Sequence, residues 1–419
     1  MPLPTKTAMR RLQLVEYQTQ EDVRLTSRQL HSLQRSAESV DVSPASSDGL
    51  WNLRPNSKVG VIRLPDLTVE IRPKLPIDRV LFLASYALGA FQLKPEVTDI
   101  DRSADLVEAM VQLFHQAVRR ATGRGLLQGY QTREETLNVV RGRIRIEEQL
   151  RRRFGIAVPI EVRYDEFTPD IEPNRLVKAA VRRLAWLPQR SPNTRRLLSA
   201  MRAVFANVST VEYRPTHLPE VPVTPLNAHY QPALALARLI LQSGAVELAA
   251  GKVQSASFLI DMNQVFEDFV VVALRDALGL TEYTFPQEAN GRDLWLDEGQ
   301  DVRLKPDISW WQANRCVFVG DAKYKRTTVH GAQTHDIYQA LAYALAAGLP
   351  GALLIYAHDE QDRIERVIYD IPACNKHIKI EVDVLNLQGQ PEEILERVKC
   401  LSHKVRQHKL KTTARQLAA

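Results

Sequence analysis

Three side chains in the last third of the sequence have the types and spacing for metal-assisted phosphodiester chemistry. Asp307 follows Pro306, and Asp321 stands two residues before Lys323, after the apolar run Val317-Phe318-Val319. Side chains alternate faces along a strand, so Asp321 and Lys323 share one face. If residues 302–311 and 315–324 pair as a hairpin, Asp307 comes beside them. Pro306 interrupts the first strand and suits an edge or bulge position. Two carboxylates and an ammonium on one patch suit Mg²⁺, which takes oxygen ligands and keeps several waters. The metal lowers the pKa of a bound water and polarises a phosphoryl oxygen. A lysine two residues on orients that water or offsets charge developing on the phosphate. The pattern is short and arises often by chance, so a hairpin with a surface salt bridge is the competing reading.

The elements that must position these groups lie on both sides. Residues 258–278 read as a helix ending at Gly279. Leu259, Met262, Val265, Phe266, Phe269 and Val270 form its apolar stripe. Glu267 sits beside that stripe, either as a further acidic ligand or as an exposed helix glutamate. Residues 336–347 form a second helix, stopped by Gly348, Pro350 and Gly351, and 352–356 an apolar strand. Gln339 and Tyr343 lie four apart on one helical face. They either touch DNA near the metal or pack as ordinary helix residues.

At 419 residues the chain has room for two or three domains. A content of 45% apolar and 25% charged residues is that of a globular protein, and the net charge of +6 tilts toward a polyanionic partner. Cys316, Cys374 and Cys400 are too scattered for a disulfide framework or zinc site, which fits a reducing cytoplasm. No secretory signal or membrane span is expected, because the uncharged stretch 340–357 is cut by Gly348-Leu349-Pro350-Gly351.

Residues 1–75 read as a strand-rich N-terminal part. Strands are expected at 59–64 and 67–72, around a Pro65-Asp66 turn, with a loop at 36–49. Residues 76–225 read as mainly helical, with helices at 79–93 and 103–122. Within them, 131–153 is taken as the most basic stretch: Arg141, Arg143 and Arg145 alternate along a possible strand, and Arg151–Arg153 follow. It is either a solvated charge face or a surface for anions, DNA phosphate or a nucleotide held by another protein. Asp165, Glu166, Asp170 and Glu172 cluster before Asn174, and a loop capping the helix 174–187 is favoured over a metal site. The Pro-rich stretch 213–225 suggests a linker, with a domain boundary near 225. Residues 226–400 then hold the candidate chemistry, and 401–419 form a basic tail. No P-loop is present, since Gly251-Lys252 is followed by valine. Nucleotide-driven movement must therefore come from a partner.

Pro306-Asp307 with Asp321-Ala322-Lys323 is similar to the PD-(D/E)xK nuclease signature, and helix, hairpin, helix, strand is the order such cores use. Further pieces follow in order over roughly residues 50–385. They are Ile71-Arg72-Pro73-Lys74, Val140-Arg141-Gly142-Arg143-Ile144, Asp165-Glu166-Phe167 leading to Asn174, Phe266-Glu267, Tyr338-Gln339 and Leu354-Ile355-Tyr356. With them the chain resembles the McrC family, nuclease subunits of McrBC modified-cytosine restriction systems.

The resemblance implies a multidomain α+β or α/β chain. Mixed strands and helices would come first, then a PD-(D/E)xK domain with a mixed sheet flanked by helices. It implies Mg²⁺ as cofactor and double-stranded, methylated DNA as substrate. The partner would be a McrB-like AAA+ GTPase hexamer, which binds the GTP and whose hydrolysis this chain stimulates. Asp307, Asp321 and Glu267 become candidate metal ligands, and Lys323 joins them as catalytic. Arg141 and Arg143 become candidate contacts to the ring. Two alternatives stand beside this reading: a non-catalytic adaptor of a AAA+ ring, and a stand-alone nuclease in repair or defence. The intact Asp-Asp-Lys set speaks against the adaptor.

Overall fold

The computed structural model describes residues 10–35, 39–64, 66–89, 105–154, 156–249, 252–287, 292–325, 332–358, 367–373 and 376–417. The expectations placed on Pro65 and Cys374 lie outside them. Contacts divide the chain into two units, Met1–Leu106 with Leu259–Ala419, and Val107–Phe258. The chain is a mixed α/β protein with several separate sheets.

In the first unit, Arg10–Val15 runs parallel to Leu67–Arg72, which pairs antiparallel with Lys58–Arg63. The register sets Leu12 beside Val69 and Leu14 beside Ile71, all buried. A smaller antiparallel sheet joins Gln20–Arg24, Leu50–Pro55 and Val40–Pro44. The last of these corrects the expected loop at 36–49. Val40 turns inward while Asp41, Ser43 and Pro44 stay exposed, so a polar sequence still makes a one-sided strand.

The sheet that carries the candidate chemistry has five strands. Their order is Ile308–Gln312, Arg315–Lys323, Gly351–His358, Lys376–Asn386, Val367–Ala373. Gly351–His358 pairs parallel on both sides, and its run Ala352-Leu353-Leu354-Ile355-Tyr356 is fully buried, as a central strand covered on both faces requires. Val319, Leu354 and Tyr356 share a core with Ala340, Tyr343 and Ala344 of the helix Thr334–Ala346. Phe318 points the other way, to His408 of the helix Pro391–Leu417, with ring centroids 5.9 Å apart.

The helix Met262–Leu278 starts four residues later than expected, because residues 258–261 end the strand Lys252–Asp261, so Leu259 of the expected stripe lies on that strand. Asp261 caps its start by accepting the Asn263 N–H at 3.0 Å, and Gly279 ends it at φ 68°. Phe269 packs edge-on against Phe82 and Tyr86 of Ile77–Ala87, with centroids 5.6 and 5.4 Å away. Residues 401–417, expected as a basic tail or a frayed helix, continue the helix Pro391–Leu417. Leu401 and Val405, four apart, are enough to bury one face of it.

The second unit contains the helices Leu106–Thr122, Glu172–Ala185, Pro192–Val204 and Gln231–Ser243. It also holds an antiparallel sheet in which Ile160–Thr168 pairs with Gly129–Leu137 and with Arg143–Ile144. Only two residues of the possible 141–145 strand extend. Gly142 turns the chain at φ +72°, where a Cβ would stand 2.4 Å from the Arg163 carbonyl. The Pro-rich stretch is tied into this unit. Tyr213 Oη donates to Glu172 at 2.6 Å, and Asn227 Nδ2 to the Pro222 carbonyl at 2.8 Å. The contact boundaries fall at 106/107 and 258/259, with residue 225 inside the second unit. Among the described residues no helix is long and apolar enough to cross a membrane.

Candidate functional site

Ile308–Gln312 and Arg315–Lys323 form the expected hairpin, with Ile308 opposite Gly320 and Trp310 opposite Phe318. Asp307 stands just before the edge strand. Its Oδ2 accepts the Ala322 N–H at 3.0 Å, between the two residues that carry the other functional groups. Lys323 Nζ lies 3.8 Å from Asp307 Oδ2 and forms an ion pair with Asp321. The Asp321 side chain is 1% exposed, against 17% for Lys323 and 15% for Asp307, so the site opens at Lys323 and Asp307 with Asp321 beneath them.

Burial governs the electrostatics. It drives the Asp321 carboxyl well above the usual carboxylate range, and the Asp307 charge pushes the same way. Burial alone would lower the Lys323 ammonium, but the charges of Asp321 and Asp307 outweigh it and hold the pKa up. Glu267, on Met262–Leu278, is raised to about 8, first by burial and then by Asp307. Helix and hairpin therefore bring Glu267 within the field of Asp307 and Lys323.

This donor set fits a hard divalent cation. Two carboxylates, Asp307 and Asp321, act on each other, and apart from the Lys323 ion pair neither buried oxygen of Asp321 accepts a well-formed hydrogen bond. Lys323 meets Asp321 only as an ion pair. Among the described residues no group of three or more His, Cys, Asp or Glu is placed to hold a metal ion. An open site of this kind suits Mg²⁺, which binds through one or two carboxylates and keeps water.

The structure gives the other candidates different surroundings. Tyr343 is 3% exposed, and its hydroxyl donates to the Lys305 carbonyl at 3.1 Å. Gln339 Nε2 donates to that hydroxyl at 2.8 Å. Of the two readings, packing is the one this geometry describes for Tyr343, which holds the chain two residues before Asp307. Arg141 lies over the Tyr164 ring at 3.9 Å and 3.7 Å from Glu166, while exposed Arg143 has no ion-pair partner among the described residues. Glu134, Glu148 and Glu161 pair with the neighbouring arginines, so the stretch 131–153 largely neutralises itself. The acidic cluster is structural but caps nothing. The N-cap of Glu172–Ala185 is Ile171, without a side-chain bond. Asp170 instead takes Arg175 at 2.8 and 3.0 Å, together with the Ser209 N–H and hydroxyl at 2.8 and 2.6 Å.

Two buried acids near the site carry no local sequence signal. Glu16 is fully buried, and its Oε2 accepts the Lys74 N–H at 3.2 Å and the Tyr324 hydroxyl at 3.4 Å. Burial raises its carboxyl to about 7. Asp336, at the start of Thr334–Ala346, binds Lys325 Nζ at 2.9 Å and the Tyr356 hydroxyl. The two residues that follow Lys323 are thus fastened by buried acids, and neither anchor is visible without the fold.

A family model described as "McrBC 5-methylcytosine restriction system component" matches residues 53–357. Among solved structures, one chain is 17% identical with a TM-score of 0.58, covering 93% of this chain and 98% of its own. It comes from a refined half-complex of a tetradecameric assembly of Thermococcus gammatolerans McrB AAA+ hexamers with bound McrC. A chain of the cryo-EM structure of the Thermococcus gammatolerans McrBC complex is 19% identical, covers 64% and 88%, and has a TM-score of 0.43. At these identities the first likeness shows a shared fold. No curated protein matches the chain.

Proposed function

The chain belongs to the family of McrBC 5-methylcytosine restriction system components, and from that premise we propose that it is the subunit that cuts DNA. On this reading the five-stranded sheet with its helices is a PD-(D/E)xK nuclease domain that uses Mg²⁺. The convergence of Asp307, Asp321 and Lys323 at one hairpin end carries the proposal. Keeping a buried carboxylate short of hydrogen bonds is costly. A non-catalytic adaptor would gain nothing from that cost.

Asp321 and Asp307 would hold the metal, with Glu267 as a third oxygen donor from the neighbouring helix. When bound, Mg²⁺ supplies an acidified water and neutralises charge on the phosphoryl group. Lys323 stays protonated between the two aspartates and faces the open side of the site. There its ammonium stabilises charge developing on the scissile phosphate and orients the attacking water. The Ala322 amide fixes Asp307, and the Tyr343 hydroxyl fixes the Lys305 carbonyl, so the metal-binding edge is preorganised.

The partner in this proposal is a McrB-like AAA+ GTPase hexamer, as the solved assembly of the structural relative suggests, with GTP bound and hydrolysed on the ring. Its docking surface would be the three-stranded sheet and short helix Ile146–Arg153 of the second unit. Tyr130, Val139, Ile146, Leu150 and Phe154 are exposed there, Phe154 at 91%. The self-paired arginines of this region suit a protein contact better than a DNA backbone. The experiment is cleavage of methylated duplex DNA with partner, GTP and Mg²⁺. Wild type should cut and Asp321→Asn should not, while both stimulate GTP turnover.

A further inference from the structure

The strongest unneutralised positive charge lies away from the stretch that looks most basic. Between Pro173 and Val211 the chain carries eight Lys or Arg and no Asp or Glu. That local excess is larger than the +6 of the whole chain. Four of these groups have structural duties. Arg175 binds Asp170, Arg183 donates to the Gly244 carbonyl, Lys178 donates to the Val208 carbonyl, and Arg182 pairs with Glu212 at 2.9 Å. Arg195, Arg196 and Arg202 are different. All three are exposed on the helix Pro192–Val204, and none has an ion-pair partner among the described residues.

Their placement is regular. Arg195, Ser199 and Arg202 follow i, i+4, i+7 spacing and share one face, so the two guanidiniums stand about 10 Å apart along the axis. Ser199 and Arg202 also line a groove of about 530 Å³, whose other wall carries Lys178 and Arg182 from Glu172–Ala185, with Thr210 at one end. Arg182 lies over the Trp186 ring, 5.1 Å from its centroid, which holds the guanidinium at that wall. Three cations and the hydroxyls of Ser199 and Thr210 thus share the groove with apolar side chains such as Val181, Met201 and Phe205.

We propose that this groove and the adjoining arginine face bind the phosphate backbone of duplex DNA. The inference rests on the nuclease reading, which makes DNA the substrate, and it adds a backbone contact remote in sequence from the catalytic hairpin. Guanidiniums spaced along a helix with hydroxyls between them match a line of phosphates, and carry no means of reading bases. Such a site adds affinity and salt dependence and leaves recognition of the modified base elsewhere.

The test uses the full chain and a short fluorescent DNA duplex, with binding followed by anisotropy over a range of salt. Arg195→Ala, Arg196→Ala and Arg202→Ala are combined, since these side chains hold no structural partner. Asp321→Asn serves as the control with an intact groove. The triple variant should lower the slope of log affinity against log salt by about two to three and weaken binding severalfold or more at low salt. The corresponding lysine triple variant should restore most of both. Equal affinity and slope in wild type and triple alanine variant overturn the groove proposal and leave the nuclease reading standing. No binding by wild type or Asp321→Asn would count against the nuclease reading itself. Unchanged DNA binding with lost stimulation of the AAA+ partner would mean that the arginine face meets an acidic protein surface, which also overturns the proposal.

Discussion

Asp307 Oδ2 accepts the backbone N–H of Ala322 at 3.0 Å, across the hairpin and between Asp321 and Lys323. One bond thus ties the edge-strand carboxylate to the strand that carries the other two functional groups. The geometry of the site is set by strand register as much as by side-chain choice.

This bond separates two roles of Asp307. Asp307→Asn keeps an acceptor for the amide, so folding should be near wild type while cleavage is lost. Asp307→Ala also strands the Ala322 N–H, which should cost a further ~1–3 kcal/mol of stability. Thermal melting of both variants beside wild type checks the difference.

Metal binding should appear as stabilisation without any turnover. Mg²⁺ at about a hundred times its dissociation constant should add about 2.7 kcal/mol. At about 2–4 °C per kcal/mol, the rise in Tm is readily measured. In Asp321→Asn the rise should vanish, because the carboxylate that would hold the metal has been replaced by an amide. A full Mg²⁺ shift in the variant would place the metal elsewhere.

Glu267 gives a pH signature. Its carboxyl sits at about 8 in the fold against an ordinary value of 4.5, so the folded state favours the protonated form. The sign follows: stability falls as pH rises from about 4.5 through 8, and Glu267→Gln should flatten that decline. Protons also compete with the metal, so apparent Mg²⁺ affinity should climb between pH 6 and about 8 in wild type and change less in the variant. Urea titrations and Mg²⁺-dependent melting across this range read the two effects separately.

Much of the site was legible because it rests on local rules. Alternation puts Asp321 and Lys323 on one face, and the 3.6-residue stripe with Gly279 marks the helix that carries Glu267. What stayed hidden depends on long-range contacts. Nothing in residues 1–75 signals that Glu16 is buried against Tyr324, three hundred residues on. The basic look of 131–153 is offset by pairings that only the fold shows, with Glu134 and Glu148 in the stretch itself and Glu161 on the facing strand, whereas the acid-free run 173–211 was visible in the sequence and was passed over.

Asp170 should matter for folding and not for chemistry. Its carboxyl is held well below the usual range by Arg175 and then Ser209, after burial has pushed the other way. Stability from this group is present above its unfolded pKa near 4 and is lost as pH falls through the depressed folded value. Asp170→Ala should therefore destabilise the second unit by about 2–4 kcal/mol near neutral pH, and by less in acid, since it leaves Arg175 only its longer pairing with Glu172, at 3.9 Å. Limited proteolysis of residues 107–258 at two pH values would show it.

Tyr343→Phe tests the support under the metal-binding edge. Losing the bond to the Lys305 carbonyl should cost about 0.5–1.5 kcal/mol and lower the cleavage rate severalfold, with DNA affinity unchanged. A large loss of DNA affinity would instead give the tyrosine a direct contact.

The most direct measurement is cleavage of methylated and unmethylated plasmid by the purified chain with Mg²⁺, with and without a McrB-like AAA+ partner and GTP. Wild type should cut only methylated DNA in the complete mixture, and Lys323→Met should lose a hundredfold or more of that rate while still stimulating GTP turnover. Accelerated GTP turnover with no cleavage under any condition would contradict the account and leave the chain a regulator of the ring.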